Sequence, residues 1–268
     1  MGRHIFCVLS VSIVVAAVLP VAALAETPSA EEIVKQCYYK NQGKDQHTRL
    51  AIAIKSADGK ENASEYTRYW KDAAGEGDLE EKMVLFTLSP KESRGVNYMR
   101  WAYRSASGKP PEQWVYLPEL QTVRRVSQRD PNDMTWGLTD EDFRIRAIDE
   151  DDHQLVETRT TPEGTIYVIQ YTPRSPSVYS RWISEFIKPD GWSTCSRRSD
   201  KFYDKNDRIL KKVSYSWIVL DNTWVWDTVT IENQRDLSVV TYKTLDARVN
   251  VGLVDEDFTE RRLKRGAP

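Results

Sequence analysis

Along most of the chain, apolar and polar residues alternate with a period of two, the spacing of a strand with one buried face. In TRLAIAIK, residues 48–55, Leu50, Ile52 and Ile54 share a face, and Asp58-Gly59 then marks a hairpin turn before EYTRYWK. EEKMVLFTL, residues 80–88, is denser and apolar on both sides. VNYMRWAYR (96–104) and EQWVYLPELQTVRR (112–125) follow the loops SPKESRG and SASGKPPE. In the second of these stretches Trp114 and Tyr116 point to one face, Val115 and Leu117 to the other, and neither face is polar. QLVETRT, TIYVIQYT, RWISEFIK, RSDKFYD, RILKKVSYSWIVL, TWVWDTVTIEN and SVVTYKTL complete the series. Turn signals separate them at Pro162-Glu163-Gly164, Pro189-Asp190-Gly191, Asn206-Asp207 and Asp221-Asn222. Roughly a dozen short strands joined mainly by hairpins predict an antiparallel meander that curls into a barrel or sandwich.

Two segments depart from that period. PSAEEIVKQCYYKNQG reads as a helix: Ser29 and Glu32 form a capping box, Ile33, Cys37 and the Val34/Tyr38 pair make one apolar stripe, and Gly43 ends it. DPNDMTWGLTDEDFRIRAIDEDDH, residues 130–153, is polar and turn-rich. Thr139 with Asp142 predicts a short helix from Asp140 to about Arg146. The insertion is long enough to act as a lid or plug, and a solvated surface loop is its plain alternative.

The first residues change the compartment. Arg3 precedes an apolar run from Ile5 to Leu19, Pro20 breaks it, and Ala23-Leu24-Ala25 gives a small-x-small cleavage pattern. A run of about 15 residues falls short of the ~20 needed to span a bilayer. The expectation is therefore a secretory leader over residues 1–25, cleaved after Ala25, and one domain over 26–268 exported to the periplasm. Cys7 leaves with the leader. Loss of Arg3 takes the formal net charge from −2 to −3, a near balance that argues against nucleic acid as a partner. Nine tryptophans and thirteen tyrosines are a large aromatic load for so polar a chain. They serve either a core or a ligand.

Catalytic and metal patterns are missing. His47 and His153 belong to no HExxH, there is no CxxC, and GxSxG, P-loop and GxGxxG patterns do not occur. A Cys37–His153 nucleophilic pair competes poorly with Cys37 as a core thiol on a helix stripe. The acidic clusters at 140–142 and 149–152 lack the spacing and glycine of an EF-hand. The expectation is no enzyme, no cofactor and no metal. Cys37 and Cys195 are either bridged, which export permits, or two buried thiols. Arg124-Arg125 could grip a carboxylate or phosphate, or pair with the acidic loops.

WVYLPELQTVRRV resembles the W-x-YLP-x-L-x-x-VRR signature of the outer-membrane lipoprotein-sorting, LolA-like family. LFTLSPKESRGVNYMRWAY matches that family's strand, "LSP…G" loop and aromatic strand, and NVGLVDEDFTERRL (250–263) matches its closing segment. The EEIV helix agrees as well, so the resemblance spans nearly all of 26–268. The chain departs from the family at QRDPNDMTWG, where relatives carry a serine- and glycine-rich stretch. The resemblance implies an open, incomplete antiparallel barrel of roughly eleven strands, with a few helices packed on its concave face and acyl chains taken up between them. It implies a monomeric periplasmic carrier for a lipid or a lipoprotein's acyl chains, served by an inner-membrane transporter and an outer-membrane acceptor. An envelope sensor or scaffold subunit is the alternative. The candidate ligand-binding residues are Trp101, Trp114, Tyr116, Arg124 and Arg125. Either the Trp114/Tyr116 pair or the Val115/Leu117 pair lines the hollow, the aromatic pair being preferred, with the arginines at the rim.

Overall fold

The computed structural model describes residues 27–126 and 146–267. The leader, and the helix expected from Asp140 to about Arg146 apart from Arg146 itself, lie outside the described residues. Thirteen strands form one antiparallel sheet: β1 (Asp45–Lys55), β2 (Glu61–Asp72), β3 (Leu79–Ser89), β4 (Asn97–Tyr103), β5 (Glu112–Leu117), β6 (Thr122–Val126), β7 (Asp151–Thr161), β8 (Gly164–Pro173), β9 (Arg181–Lys188), β10 (Ser196–Tyr203), β11 (Ile209–Leu220), β12 (Thr223–Asn233) and β13 (Val239–Val249). Their order is β6-β5-β4-β3-β2-β1-β13-β12-β11-β10-β9-β8-β7. Two meanders, β1–β6 and β7–β13, are therefore joined by the pairing of β1 with β13. The described sheet is not closed into a barrel, and β6 and β7 are its edges.

The strand count exceeds the roughly eleven implied by the resemblance. Every sequence segment read as a strand is one, and the stretch 112–125 is two. Pro118–Leu120 form a 3₁₀ turn, Gln121 adopts φ +50°, and β6 folds back on β5 with Leu117 opposite Thr122. Hairpin chemistry sets other boundaries too. Asp221 and Asn222 both take positive φ (+47° and +59°), which suits the two-residue loop between Leu220 and Thr223. Sheets of more than about ten strands curl rather than stay flat. Register shifts at Arg49/Leu50, Glu65/Tyr66, Leu155/Glu157, Arg197/Ser199 and Ser216/Trp217 add local twist.

Two helices are present among the described residues, and they cover opposite faces. α1 (Ala30–Cys37) opens with the expected capping box: Ser29 N–H donates to Glu32 Oε2 at 2.8 Å, and Glu32 N–H donates to Ser29 Oγ at 3.2 Å. It stops six residues before Gly43, because Tyr38 and Tyr39 turn away to contact Arg146. Ile33, Val34 and Cys37 bury its stripe against the inner face of the sheet. That core includes Ile52, Leu85, Tyr98, Ile169, Phe186, Val213, Ile231 and Val240. Cys37 is disulfide-bonded to Cys195, with Cα atoms 4.9 Å apart across 158 residues of chain. The bridge resolves the choice left open by the sequence and fixes the end of α1 next to the β9–β10 connection.

The second helix, α2 (Glu260–Arg265), lies on the outer face of the sheet, opposite α1. The cause is the two-sided apolarity of β3. Met83 and Leu85 face inwards, while Val84 and Phe86 face outwards and join Tyr69, Met99, Phe258 and Leu263 in a second core. Asn97 Nδ2 donates to Leu263 O at 2.8 Å and ties α2 to β4. The approach to α2 is anchored by the buried Asp45 carboxylate, which accepts from the N–H groups of Val251 (2.7 Å), Gly252 (3.1 Å) and Leu253 (3.3 Å). Gly43 sits at φ +76° beside this crossing, where a Cβ would lie 2.8 Å from Asn250 Oδ1.

The disulfide closes a loop of over 150 residues. Cys195→Ala, or reduction of the wild-type protein, is expected to lower the unfolding free energy by about 2–5 kcal/mol. Urea denaturation with and without reductant measures this.

Candidate functional site

The inner face carries the candidate site. Partners directly opposite in the register share a face, so the inner rows can be followed across strands. One row runs Leu155, Ile169, Ser184, Asp200, Val213, Ile231, Val240 and Ile54. A second begins His153, Tyr171, Trp182, Phe202 and Lys211. The surface is mainly apolar and aromatic. Tyr171 stacks on Trp182 at 5.0 Å, and Trp182 on Phe202 at 6.0 Å. Part-buried residues at its margin include Tyr38, Tyr39, Val115, Leu155, Trp192, Tyr215 and Trp226.

A polar centre is set into this apolar face. Asp200 has no exposed surface. Its Oδ1 accepts from Ser184 Oγ at 2.6 Å and its Oδ2 from Tyr215 Oη at 2.7 Å, and Arg197 Nη1 stands 3.3 Å from Oδ2. The Arg197 guanidinium lies over the rings of Tyr215 (4.2 Å) and Tyr38 (5.0 Å). Burial works against the charge of Arg197, but Tyr215 and Asp200 outweigh it and hold the pKa above the usual guanidinium value. Lining a cavity with Arg197, Arg146 grips Asp151 through Nε (2.7 Å) and Nη2 (2.6 Å) and lies over the Trp182 ring at 5.3 Å. Tyr39 Oη donates to Arg146 O at 2.7 Å. Burial pushes the hydroxyls of Tyr38, Tyr39 and Tyr171 upwards in pKa, so all three stay protonated donors at neutral pH. Burial pushes His153 down, with Arg174 adding to the effect and Asp151 opposing it. The cavity, of about 30 Å³, lies among Tyr38, Arg146, His153, Tyr171, Arg197 and Tyr215.

A second polar arrangement occupies the inner face of β2–β5. Glu81 accepts from Trp70 Nε1 and from Arg100 Nη1, both at 2.6 Å, and Tyr98 Oη donates to Gln113 Oε1 at 2.9 Å. Burial brings Arg68 down to about 10, with Glu81 opposing the shift. A cleft of about 380 Å³ opens at this end of the strands, lined by Lys40, Gly43, Trp70, Asp72, Glu81 and Arg104 among others. Lys40, Asp72, Glu80, Glu81 and Arg104 put charges of both signs on its walls.

The five ligand-binding candidates are divided between the faces. Val115 turns inwards opposite Tyr98, and Arg124, opposite Val115, shares its side. Trp101, Trp114 and Tyr116 turn outwards and pack at the edge of the second core with Val123, near α2. Of the two alternatives for the strand, the Val115 side faces the large core, and the aromatic triplet lies on the outer face, where α2 supplies apolar cover. Trp101 and Trp114 meet edge to face at 5.1 Å. Arg125 shares the outer side, bonded to Glu112 and 5.8 Å from the Trp114 ring. The residues that furnish the inner polar centre carry no motif in the sequence. Asp200 was legible in principle, as a carboxylate on the same strand parity as Phe202. The Cys37–His153 pairing is removed by the disulfide. Among the described residues no group of His, Cys, Asp and Glu is placed to hold a metal, and no helix is long and apolar enough to cross a membrane.

The model of a family described only as uncharacterized protein matches residues 79–265, from β3 to the end of α2. No curated protein matches the chain. The crystal structure of a DUF1329 family protein from Desulfovibrio piger is similar with a TM-score of 0.75 at 25% identity, over 87% of this chain and 97% of that one. A domain assigned as an outer membrane lipoprotein-sorting protein from Vibrio parahaemolyticus gives a TM-score of 0.72 at 21% identity, over 88% and 98%. A LolA superfamily protein from Nitrosomonas europaea gives 0.62 at 16% identity, over 88% and 100%. The open antiparallel sheet is the LolA-like fold expected from the sequence motifs.

Removing the Asp200 carboxylate leaves Arg197 in a buried site without its counter-charge. Asp200→Ala is expected to cost about 3–5 kcal/mol in urea denaturation, with Asp200→Asn losing less. The two histidines give the pH dependence. Burial lowers the folded-state pKa of both His47 and His153 below the ordinary value of 6.5, so the unfolded chain takes up protons first. Stability is full above that value and falls as pH drops through it towards the depressed folded-state pKa. His153→Gln is expected to flatten the decline in thermal midpoint between about pH 7 and pH 5.

Proposed function

The chain belongs to the family whose model spans residues 79–265, and on that premise we propose that it is a periplasmic carrier for the acyl chains of a lipid or lipoprotein. The observation that carries the reading is the inner face: a mainly apolar and aromatic face of an open sheet, broken by a polar centre, with part-buried side chains packed against its core. Support comes from the fold shared with a protein assigned to lipoprotein sorting and from the export leader expected over residues 1–25. Each buried methylene contributes about 0.8 kcal/mol, so one tail is held firmly without specific contacts. The cavity of about 30 Å³ admits no tail. Cargo therefore enters by displacing side chains or the margin around α1, whose end remains fixed by Cys37. Handover needs an acceptor that competes for the tail, such as an outer-membrane receptor, and loading needs a membrane donor. The cargo contacts are assigned to the inner face around Val115 and Leu155, with Arg124 on the same side.

The test is to purify the exported protein from its native envelope, extract it with organic solvent and identify the extract by mass spectrometry. Acylated lipid or lipoprotein in stoichiometric amount is expected. Val115→Asp, which puts a carboxylate on the inner face, should reduce the loaded fraction at least tenfold, since an unpaired charge there costs several kcal/mol. Val219→Asp, at an exposed β11 position, should leave it unchanged. Equal loading of both variants, or no lipid alongside stable capture of a membrane protein, refutes the carrier and favours the scaffold subunit.

A further inference from the structure

The small cavity of the inner face has an unmet requirement. Tyr171 is 3% exposed, and its hydroxyl has no hydrogen-bond partner. Buried hydroxyls are normally paired, and one left unpaired is costly. The hydroxyl feels Tyr38, Asp200, Arg197 and Tyr39 electrostatically, so it is directed at the polar centre and not at the apolar rows beside it. Tyr171 lines the cavity of about 30 Å³. By the usual requirement of roughly 10–15 Å³ per water, that space holds about two waters, or one oxygen-bearing group of a ligand.

The lining selects the kind of group. Both oxygens of Asp151 are engaged by Arg146, and both oxygens of Asp200 are engaged by Ser184, Tyr215 and Arg197. The carboxylate acceptors of the lining are therefore engaged, and the Tyr171 O–H is left as an unpaired donor. A ligand oxygen that accepts would satisfy it. The formal charges of Arg146 and Arg197 balance those of Asp151 and Asp200. A phosphate or carboxylate would thus bring an uncompensated charge into a buried space, whereas a neutral oxygen would not. Val34, Trp182 and Phe202 border the same cavity, so a group seated there can continue directly into hydrocarbon.

We propose that Tyr171 is the donor of a subsite for one uncharged carbonyl oxygen, the ester or amide carbonyl at the polar end of an acyl chain. The inference rests on the carrier reading and deepens it: the inner face grips a tail by shape, and this subsite fixes where the tail begins. It separates acyl cargo from plain hydrocarbon of equal length. An ester comes from a glycerolipid or an O-acylated lipoprotein, an amide from an N-acylated one, and both present the same acceptor.

The experiment compares wild-type protein with Tyr171→Phe, which deletes one oxygen and keeps the ring on Trp182. The probes are methyl laurate and N-methyl lauramide, each ¹³C-labelled at the carbonyl, and tridecane. Affinity is read from tryptophan fluorescence, and isotope-edited infrared spectra report the bound carbonyl. In wild type the carbonyl stretch of at least one acyl probe moves to lower frequency than in hydrocarbon solvent, and the probe that moves identifies the linkage. Tyr171→Phe abolishes that displacement and weakens binding of the same probe roughly fivefold to tenfold, the worth of one hydrogen bond. Tridecane affinity is unchanged. The wild-type spectrum alone is decisive if the variant folds poorly. Acyl probes that bind with hydrocarbon-like carbonyl frequencies, or equally well to both proteins, overturn the subsite and leave the carrier standing. If none of the three probes binds, the carrier reading fails as well and the cavity is a place for structural water.

Discussion

β3 and its neighbours are apolar on both faces, and a sheet of that kind must be covered twice. The inner cover is α1 with the large core, and the outer cover is α2 with the smaller one. Neither helix is long enough to be stable alone in water. Each is held by a long-range tie: Cys37 to Cys195 for α1, and Asn97 to Leu263 with the Asp45 carboxylate for α2. The rest of the architecture follows from that demand. With both faces partly capped and the edges β6 and β7 not paired to each other, the sheet can stay open where a closed barrel would have sealed its interior.

Placing charge on the inner face is consistent with the same logic because almost every charge there is matched. Asp200 is surrounded by three donors, and Arg146 and Asp151 form a two-point pair. Buried pairs of this kind add little net stability over apolar replacements, yet breaking one is expensive. They fix side-chain geometry within an aromatic surface. A polar centre inside an apolar face distinguishes this molecule from a simple greasy trough.

The shared fold with LolA-like proteins identifies neither a site nor a ligand, because folds host different functions and chemistry resides in particular residues. Here the particular residues are those of the inner face, and two of the most informative, Tyr171 and Asp200, lie mid-strand. Their side chains are positioned by the ladder itself, which makes the geometry more exact than loop-borne groups would allow.

The sequence by itself determined the elements. The capping box of α1, the Asp221-Asn222 hairpin, and the inward set of Leu50, Ile52 and Ile54 follow from local chemistry and a two-residue period. Family motifs added the open-barrel architecture. The tertiary structure alone decided which face each two-sided strand turns inwards. Val115 points to the large core and Trp114 away from it, because α2 arrives from far along the chain to cover the outer side. The period states that neighbouring side chains oppose each other. It carries no sign, and the sign comes from contacts such as Asn97 with Leu263, 166 residues apart. The same holds for the cysteines: their identities permitted a bridge, but only the fold brought their Cα atoms to 4.9 Å.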